Sequence, residues 1–269
     1  MKIAAIQTVS GTSVAANLAR AADLLAQAAD AGAELAVLPE YFCLMGARDT
    51  DKLAVRERFG AGPVQAFLAE RSRALGLWIV GGTLPLEADD PQRVRNASLA
   101  FAPDGECVAR YDKIHLFRFD NGREQYDEAR VIEAGSAPRG FVLPSRDGHA
   151  WRVGLSVCYD LRFPELYRGL DADLLLVPSA FTYPTGEAHW ELLLRARAVE
   201  NLAYVVAPAQ GGRHENGRRT WGHTMVVDPW GAVLGQRREE GEGVVVAELA
   251  AQRLAEVRSQ LPALSHRVL

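Results

Sequence analysis

The chain has 269 residues, 48% of them apolar and 24% charged, with a net charge of −4 and a pI near 5.9. That length fits one large α/β domain or two small ones and is enough to bury a substantial core. The mild acidity excludes the basic field that a nucleic-acid partner requires, and three cysteines, Cys43, Cys107 and Cys158, are too few and too odd for a disulfide framework.

Residues 2–8 read as an apolar strand. The start of the chain lacks the charged region, long apolar region and small-residue cleavage site of a signal peptide. No apolar run reaches the length of a membrane span. With the sparse cysteines, this gives the expectation of a cytoplasmic protein that engages no membrane. Thr12 or Ser13 can cap a helix running to about Ala31, where Leu18, Ala22, Leu25 and Ala29 recur at helical spacing and Gly32 stops it. Residues 34–38 form an almost wholly apolar strand ended by Pro39-Glu40. A strand, a helix and a second strand of this kind make a parallel crossover unit.

A second amphipathic helix is expected over 64–75 and a strand over 77–84, with Gly81-Gly82 allowing something to approach its backbone closely. Residues 95–101 and 106–111 read as two strands joined by the turn Pro103-Asp104-Gly105. The polar stretch 112–130 reads as a long loop, a length that points to function or disorder in a compact domain. Residues 151–158 form the central strand, with a helix following over 164–170 and another buried strand over 173–178. A helix over 186–200, a strand over 202–208 and a polar, basic loop over 211–222 come next. Strands over 223–228, 232–236 and 243–249 close the fold, followed by a helix over 251–260 and an extended tail. No repeat or linker divides the chain, so residues 1–269 are expected to form one domain. Alternating strands and helices predict helices on the outer faces of sheets, either a doubly wound sheet or two sheets packed between helix layers.

Four ionisable residues fall at or just past a strand end or in the long loop: Glu40, Lys113, Glu128 and Cys158. In α/β folds ligands gather at the carboxyl ends of strands. A carboxylate there can deprotonate a thiol, and a lysine can stabilise both a thiolate and an oxyanion. Each has an ordinary structural reading when taken singly: a turn cap for Glu40, surface charges for Lys113 and Glu128, a small buried hydrophobe for Cys158.

Together they carry a resemblance. Leu38-Pro39-Glu40-Tyr41-Phe42, Tyr111-Asp112-Lys113-Ile114-His115-Leu116-Phe117 and Gly154-Leu155-Ser156-Val157-Cys158-Tyr159-Asp160-Leu161-Arg162-Phe163-Pro164-Glu165 resemble the three signature segments of the nitrilase superfamily of carbon–nitrogen hydrolases, in the family's order. Tyr126-Asp127-Glu128 resembles the segment bearing a second glutamate, with Glu124 as a neighbouring alternative. The resemblance implies a four-layer α-β-β-α sandwich that assembles as a homodimer or larger homo-oligomer. It implies Cys158 as nucleophile, Glu40 as general base, Lys113 as oxyanion stabiliser and Glu128 as positioning carboxylate, with the Tyr159 N–H as second oxyanion donor.

Further segments, including 188–200, Gln210-Gly211-Gly212-Arg213-His214-Glu215 and Trp221 to Gly231, are similar to the branch of deaminated glutathione amidases. That likeness implies a small-molecule amide substrate and release of 2-oxoglutarate. Arg162 either grips a substrate carboxylate or pairs with Glu165. Phe181 and Thr185 either line the pocket or pack a loop, and Arg213 and His214 are further carboxylate candidates. An ω-amidase, a nitrilase, an N-carbamoyl hydrolase or an inactive scaffold are the competing readings. Metal and nucleotide motifs are missing, so neither metal nor cofactor is expected. His115, two residues past Lys113, reads as a hydrogen-bonded structural residue.

Overall fold

The computed structural model describes residues 1–122 and 125–268. Its elements in chain order are β1 (Lys2–Gln7), α1 (Val14–Asp30), β2 (Leu35–Val37), α2 (Asp51–Ala54), α3 (Pro63–Leu75), β3 (Trp78–Val80), β4 (Leu84–Glu87), β5 (Val94–Phe101) and β6 (Cys107–Asp112). They continue as β7 (Arg118–Asp120), β8 (Gln125–Asp127), β9 (Arg139–Pro144), β10 (Ala150–Leu155), α4 (Pro164–Leu170), β11 (Leu174–Leu176) and α5 (Tyr183–Asn201). The chain closes with β12 (Tyr204–Ala207), β13 (Gly211–Arg213), β14 (Arg219–Trp221), β15 (Met225–Val227), β16 (Val233–Gln236), β17 (Gly243–Glu248) and α6 (Ala251–Gln260).

Helix α1 starts where expected: the Ser13 hydroxyl accepts from the Ala16 N–H, satisfying a donor that the first turn leaves open. Its buried stripe, Ala21, Leu24, Leu25 and Ala28, recurs at three- and four-residue steps. That stripe packs against Ala4, Ile6, Ala36, Leu38 and Ile79, together with Val64 and Leu68 of α3. The alternate residues of the same strands, Ile3, Ala5, Leu35, Val37 and Val80, face the other way and join Val153, Leu155 and the run Leu174–Leu176. Period-two alternation thus places one row of each strand under helices and the other row between sheets. Leu166, Tyr167, Trp190, Leu194 and Ala198 of α4 and α5 cover the far side of the second sheet. The result is the four-layer α-β-β-α sandwich.

The first sheet runs β17-β1-β2-β3-β5-β4, with β6 also paired to β5; the second runs β16-β15-β12-β11-β10-β9. Pairs β1–β2, β2–β3, β10–β11 and β11–β12 are parallel. The connections between these parallel partners carry α1, α3, α4 and α5 across the outer faces, as parallel pairing demands.

Several elements differ from the expectations. The stretch 112–130 is not one loop: β7 and β8 form a hairpin, and Glu128–Arg130 make a 3₁₀ turn. Residues 211–222 form a second hairpin, β13–β14. Both hairpins have three-residue polar strands, which carry no apolar period. The edge strand β9 was not expected, α5 begins three residues early at Tyr183, and Ala263–His266 turn as a 3₁₀ helix. Strand β10 ends at Leu155, so Cys158 stands in the turn beyond it.

The strand expected over 77–84 breaks at Gly81-Gly82, for a reason that matters to the site. Gly82 has φ +46°, and a Cβ on it would lie 1.9 Å from the Pro39 carbonyl oxygen. The chain just before Glu40 therefore crosses directly over a bare α-carbon. The next residue, Thr83, accepts a hydrogen bond from the Tyr41 N–H at 2.9 Å. We expect Gly82→Ala to destabilise the fold by at least about 2 kcal/mol through forced displacement and backbone strain. Gly169→Ala, in α4 with open space around it, should be neutral or stabilising by up to about 1 kcal/mol. Urea unfolding midpoints check both; equal midpoints for the two variants would refute the crossing as a constraint.

Candidate active site

Glu40 and Cys158 lie just past the carboxyl ends of the parallel strands β2 and β10, and Lys113 directly follows β6. Local bonds fix each. The Cys158 N–H donates to the Pro178 carbonyl at 2.9 Å, tying the turn to the chain just beyond β11, and the Lys113 N–H donates to the Asn96 carbonyl at 3.0 Å. Cys158 has φ +50° and Tyr41 φ +58°. Both are residues with a Cβ in the left-handed region, where persistence requires strong surrounding restraint.

Lys113 is the hub. Its Nζ donates to Glu40 Oε1 at 2.9 Å and to Glu128 at 2.8 Å (Oε2) and 3.0 Å (Oε1). Glu40 also accepts from Asn96 Nδ2 at 2.9 Å and from the Ala180 N–H at 3.0 Å. Glu128 accepts from the Tyr41 hydroxyl at 2.8 Å and the Phe117 N–H at 2.7 Å. Lys113 and Glu40 are each 1% exposed. Every oxygen and every ammonium hydrogen in this set has a partner, the condition under which charges tolerate burial.

The charges shift one another in definite directions. Burial alone would lower the Lys113 pKa, but the charges of Glu128 and Glu40 outweigh it and hold the ammonium well above its usual range. Burial would raise Glu128; Lys113 overrides that, aided by the Phe117 and Tyr41 donors, so its carboxyl sits below the usual value. The Cys158 thiol is pushed well up, first by burial and then by the charge of Glu40, with Lys113 opposing. Burial and the neighbouring Glu40 thus favour the protonated sulfur, with Lys113 opposing.

A cavity of about 330 Å³ opens onto this group. Tyr159, Arg162, Phe181 and Thr185 all line it, with Cys158, Glu40 and Glu128. Arg162 does not pair with Glu165: its two terminal nitrogens lie 3.3 Å from His189 Nδ1, and its guanidinium lies 5.6 Å from the Phe181 ring centre. Arg213 is exposed and away from the cavity, and His214 is buried against the Ser10 carbonyl and the Thr220 hydroxyl. Both leave the candidate list. Glu124 lies outside the described residues. Among the described residues, no group of three or more His, Cys, Asp or Glu side chains could hold a metal.

Four contributors escaped the sequence reading: Asn96, Tyr41, Asp160 and Arg218. Asp160, fully buried, accepts from the Val157 N–H (2.8 Å), the Tyr111 hydroxyl (2.7 Å) and the His115 N–H (3.1 Å), and its Oδ1 is 2.7 Å from His115 Nδ1. It therefore clamps the Cys158 turn to the segment carrying Lys113. His115 stacks on Phe163 at 3.7 Å, a structural arrangement. Asp160 stood within a quoted motif, and only the fold shows that its partners come from β6 and beyond. Arg218 lines the cavity from the β13–β14 hairpin.

With the geometry in place, comparisons with known proteins are informative. Residues 2–259 match the carbon–nitrogen hydrolase family model. The chain is 40% identical to a deaminated glutathione amidase from Synechocystis sp., covering 98% of this chain and 97% of the relative. It is 36% identical to the human omega-amidase NIT2, covering 97% and 92%. Among solved structures, the NitFhit protein of C. elegans superposes with a TM-score of 0.89 at 36% identity, covering 99% of this chain and 65% of that longer one. The chain belongs to the carbon–nitrogen hydrolase family and is a hydrolase of amide C–N bonds.

Proposed function

We propose that the protein hydrolyses deaminated glutathione to 2-oxoglutarate and Cys-Gly through a thioester on Cys158. The observation that carries the reading is the Glu40–Lys113–Glu128 group beside a thiol in a cavity that also holds Arg162. Support for this substrate comes from relatives at about 40% identity named deaminated glutathione amidase. Hydrolysis of 2-oxoglutaramate is the second reading, favoured by the likeness to an omega-amidase.

Charge arithmetic dictates the order of proton movement. Lys113 is already shared by two carboxyl groups, and a free thiolate would add further negative charge to a buried site. Attack is therefore coupled to transfer of the thiol proton to Glu40. The sulfur bonds to the amide carbon while the carbonyl oxygen takes up the negative charge. Lys113 and the Tyr159 N–H receive it. Lys113 can turn one hydrogen to this oxygen because Glu128 holds two of its contacts and needs only one. Collapse breaks the C–N bond, and Glu40 returns its proton to the departing nitrogen. Water then gives a proton to Glu40 and its oxygen to the thioester carbon. Expulsion of the sulfur, which regains that proton, releases the acid. No histidine is required.

Arg162 sits on the same 3₁₀ turn as Cys158 (Cys158–Arg162). It suits the 2-oxo acid portion, which stays bonded to that turn through the second half-reaction. The reading also takes residues 1–269 as one catalytic domain, supported by a core cluster that spans Met1 to Leu254. It includes a reducing, cytoplasmic setting and a homodimer. The three unpaired cysteines support the first, and the exposed Leu192 and Val199 on α5 support the second.

Cys158→Ala should abolish turnover while keeping the urea midpoint of the parent; residual activity above one thousandth of the parent rate would refute the thioester route. Glu40→Gln should lower kcat roughly 10²–10⁴-fold. The same variant should shift the pH midpoint of Cys158 alkylation by iodoacetamide downward. The sign follows from the charge: Glu40 raises the thiol, so neutralising it makes the thiolate accessible at lower pH. An unchanged or higher midpoint contradicts the assignment. On a panel of deaminated glutathione, 2-oxoglutaramate, nitriles and N-carbamoyl compounds, kcat/KM should be highest for deaminated glutathione; a preference for 2-oxoglutaramate selects the second reading.

A further inference from the structure

The catalytic cavity does not end at Cys158. A second, partly open cleft adjoins it, and Tyr41, Phe117, Glu128 and Arg218 line both. The shared wall places one cleft on each side of Glu128 and Arg218, so groups on the two sides of a bond cut at Cys158 would face different linings.

The charge in this second cavity is unusual. Arg218 stands at the shared wall with its guanidinium 5.0 Å from the Tyr126 ring centre, and no carboxylate pairs with it among the described residues. Lys52 lines the inner side, 8% exposed, with its ammonium 4.9 Å from the Tyr41 ring centre. Its one anionic contact among the described residues is Asp49 at 3.7 Å, a side chain that is 67% exposed. The cavity's other carboxylates are committed elsewhere: Glu128 to Lys113, and Asp127 to Arg130 at 3.7 Å. Burial lowers the Lys52 pKa and the charge of Arg218 adds to that, with Asp49, Glu128 and Glu40 opposing. Two cations thus face a common space, one planar and fork-shaped, the other buried, with aromatic rings beside both.

The reaction gives the two arms different fates. The acyl arm remains covalently held beside Arg162, on the nucleophile's own turn. The amine arm leaves first, and a cavity between two hairpins, apart from that turn, is suited to hold and then release it. We propose that the space between Arg218 and Lys52 is a subsite for a carboxylate carried by the leaving amine a few bonds beyond the scissile nitrogen. This rests on the amidase reading and extends it: the enzyme selects amides of carboxylate-bearing amines such as dipeptides, where an enzyme releasing only ammonia has no use for the second cavity. The competing account makes Arg218 a clamp that joins the β13–β14 hairpin to β8 by stacking on Tyr126.

The test uses the full chain and two substrates, 2-oxoglutaryl-Cys-Gly with a free terminal carboxylate and the same compound with that carboxylate converted to an amide. The parent enzyme should favour the free acid in kcat/KM by about 10- to 100-fold, mostly through KM. Arg218→Gln should remove that preference, and Arg218→Lys should restore part of it. Equal kcat/KM for the two compounds with the parent enzyme overturns the subsite without need of any variant. An equal fold-loss on both compounds in Arg218→Gln also overturns it and leaves the clamp. Cleavage of 2-oxoglutaramate with neither dipeptide compound touched removes the deaminated glutathione reading and the subsite with it.

Discussion

The site depends on one ammonium group shared by two carboxylates in a place without solvent. Lys113 Nζ reaches Glu40 and Glu128 within 3.0 Å while its side chain has no exposed surface. Removing water from three charges is expensive, several kcal/mol per ion even after relaxation. Mutual attraction offsets that only because Asn96, Ala180, Tyr41 and Phe117 supply the remaining hydrogen bonds. The folding energy of this region is therefore spent on keeping charges apart from water, and the return is a strong, fixed field at the sulfur.

The two sheets exist in their observed register to serve that arrangement. Glu40 comes from the first sheet and Cys158 from the second. Ala180, whose N–H binds Glu40, belongs to the chain just past β11. A slip of one residue in β2 or β10 would exchange the inter-sheet row for the helix-facing row and turn Glu40 and Cys158 away from each other. Gly82 and Asp160 act at the same level. The first lets the Glu40 segment pass close to the end of β3, and the second binds the Cys158 turn to the chain after β6.

Much of this was readable before any coordinates. Strands β1, β2, β10 and β12 are apolar runs bounded by punctuation, and Glu40, Lys113 and Cys158, singled out just past β2, β6 and β10, are now proposed as the catalytic group. What escaped was whatever depends on pairing between distant segments. The hairpins β7–β8 and β13–β14 are too short and too polar to show a period. In the loop over 211–222 the sequence reading picked Arg213 and His214 and passed over Arg218 and Arg219, because a polar hairpin gives no sign of which side chain faces inward. The turn closed by the His214 N–H on the Arg218 carbonyl decides it: Arg213 stays exposed, Arg219 pairs with Glu240, and Arg218 faces the cavity. Asp160 escaped for a similar reason, since two of its donors, Tyr111 and His115, lie 49 and 45 residues earlier in the chain.

The raised thiol has a consequence outside the reaction itself. Peroxides and disulfides attack thiolates, and a cysteine held protonated is slow on the path to sulfenic acid. Cys43 is likewise pushed up to about 12 by burial, and burial also raises Cys107. Burial therefore disfavours the oxidisable thiolate at all three sulfurs. On the proposed route, the burial that sets Cys158 among charged side chains also weighs against loss of its sulfur to oxidants before a substrate arrives.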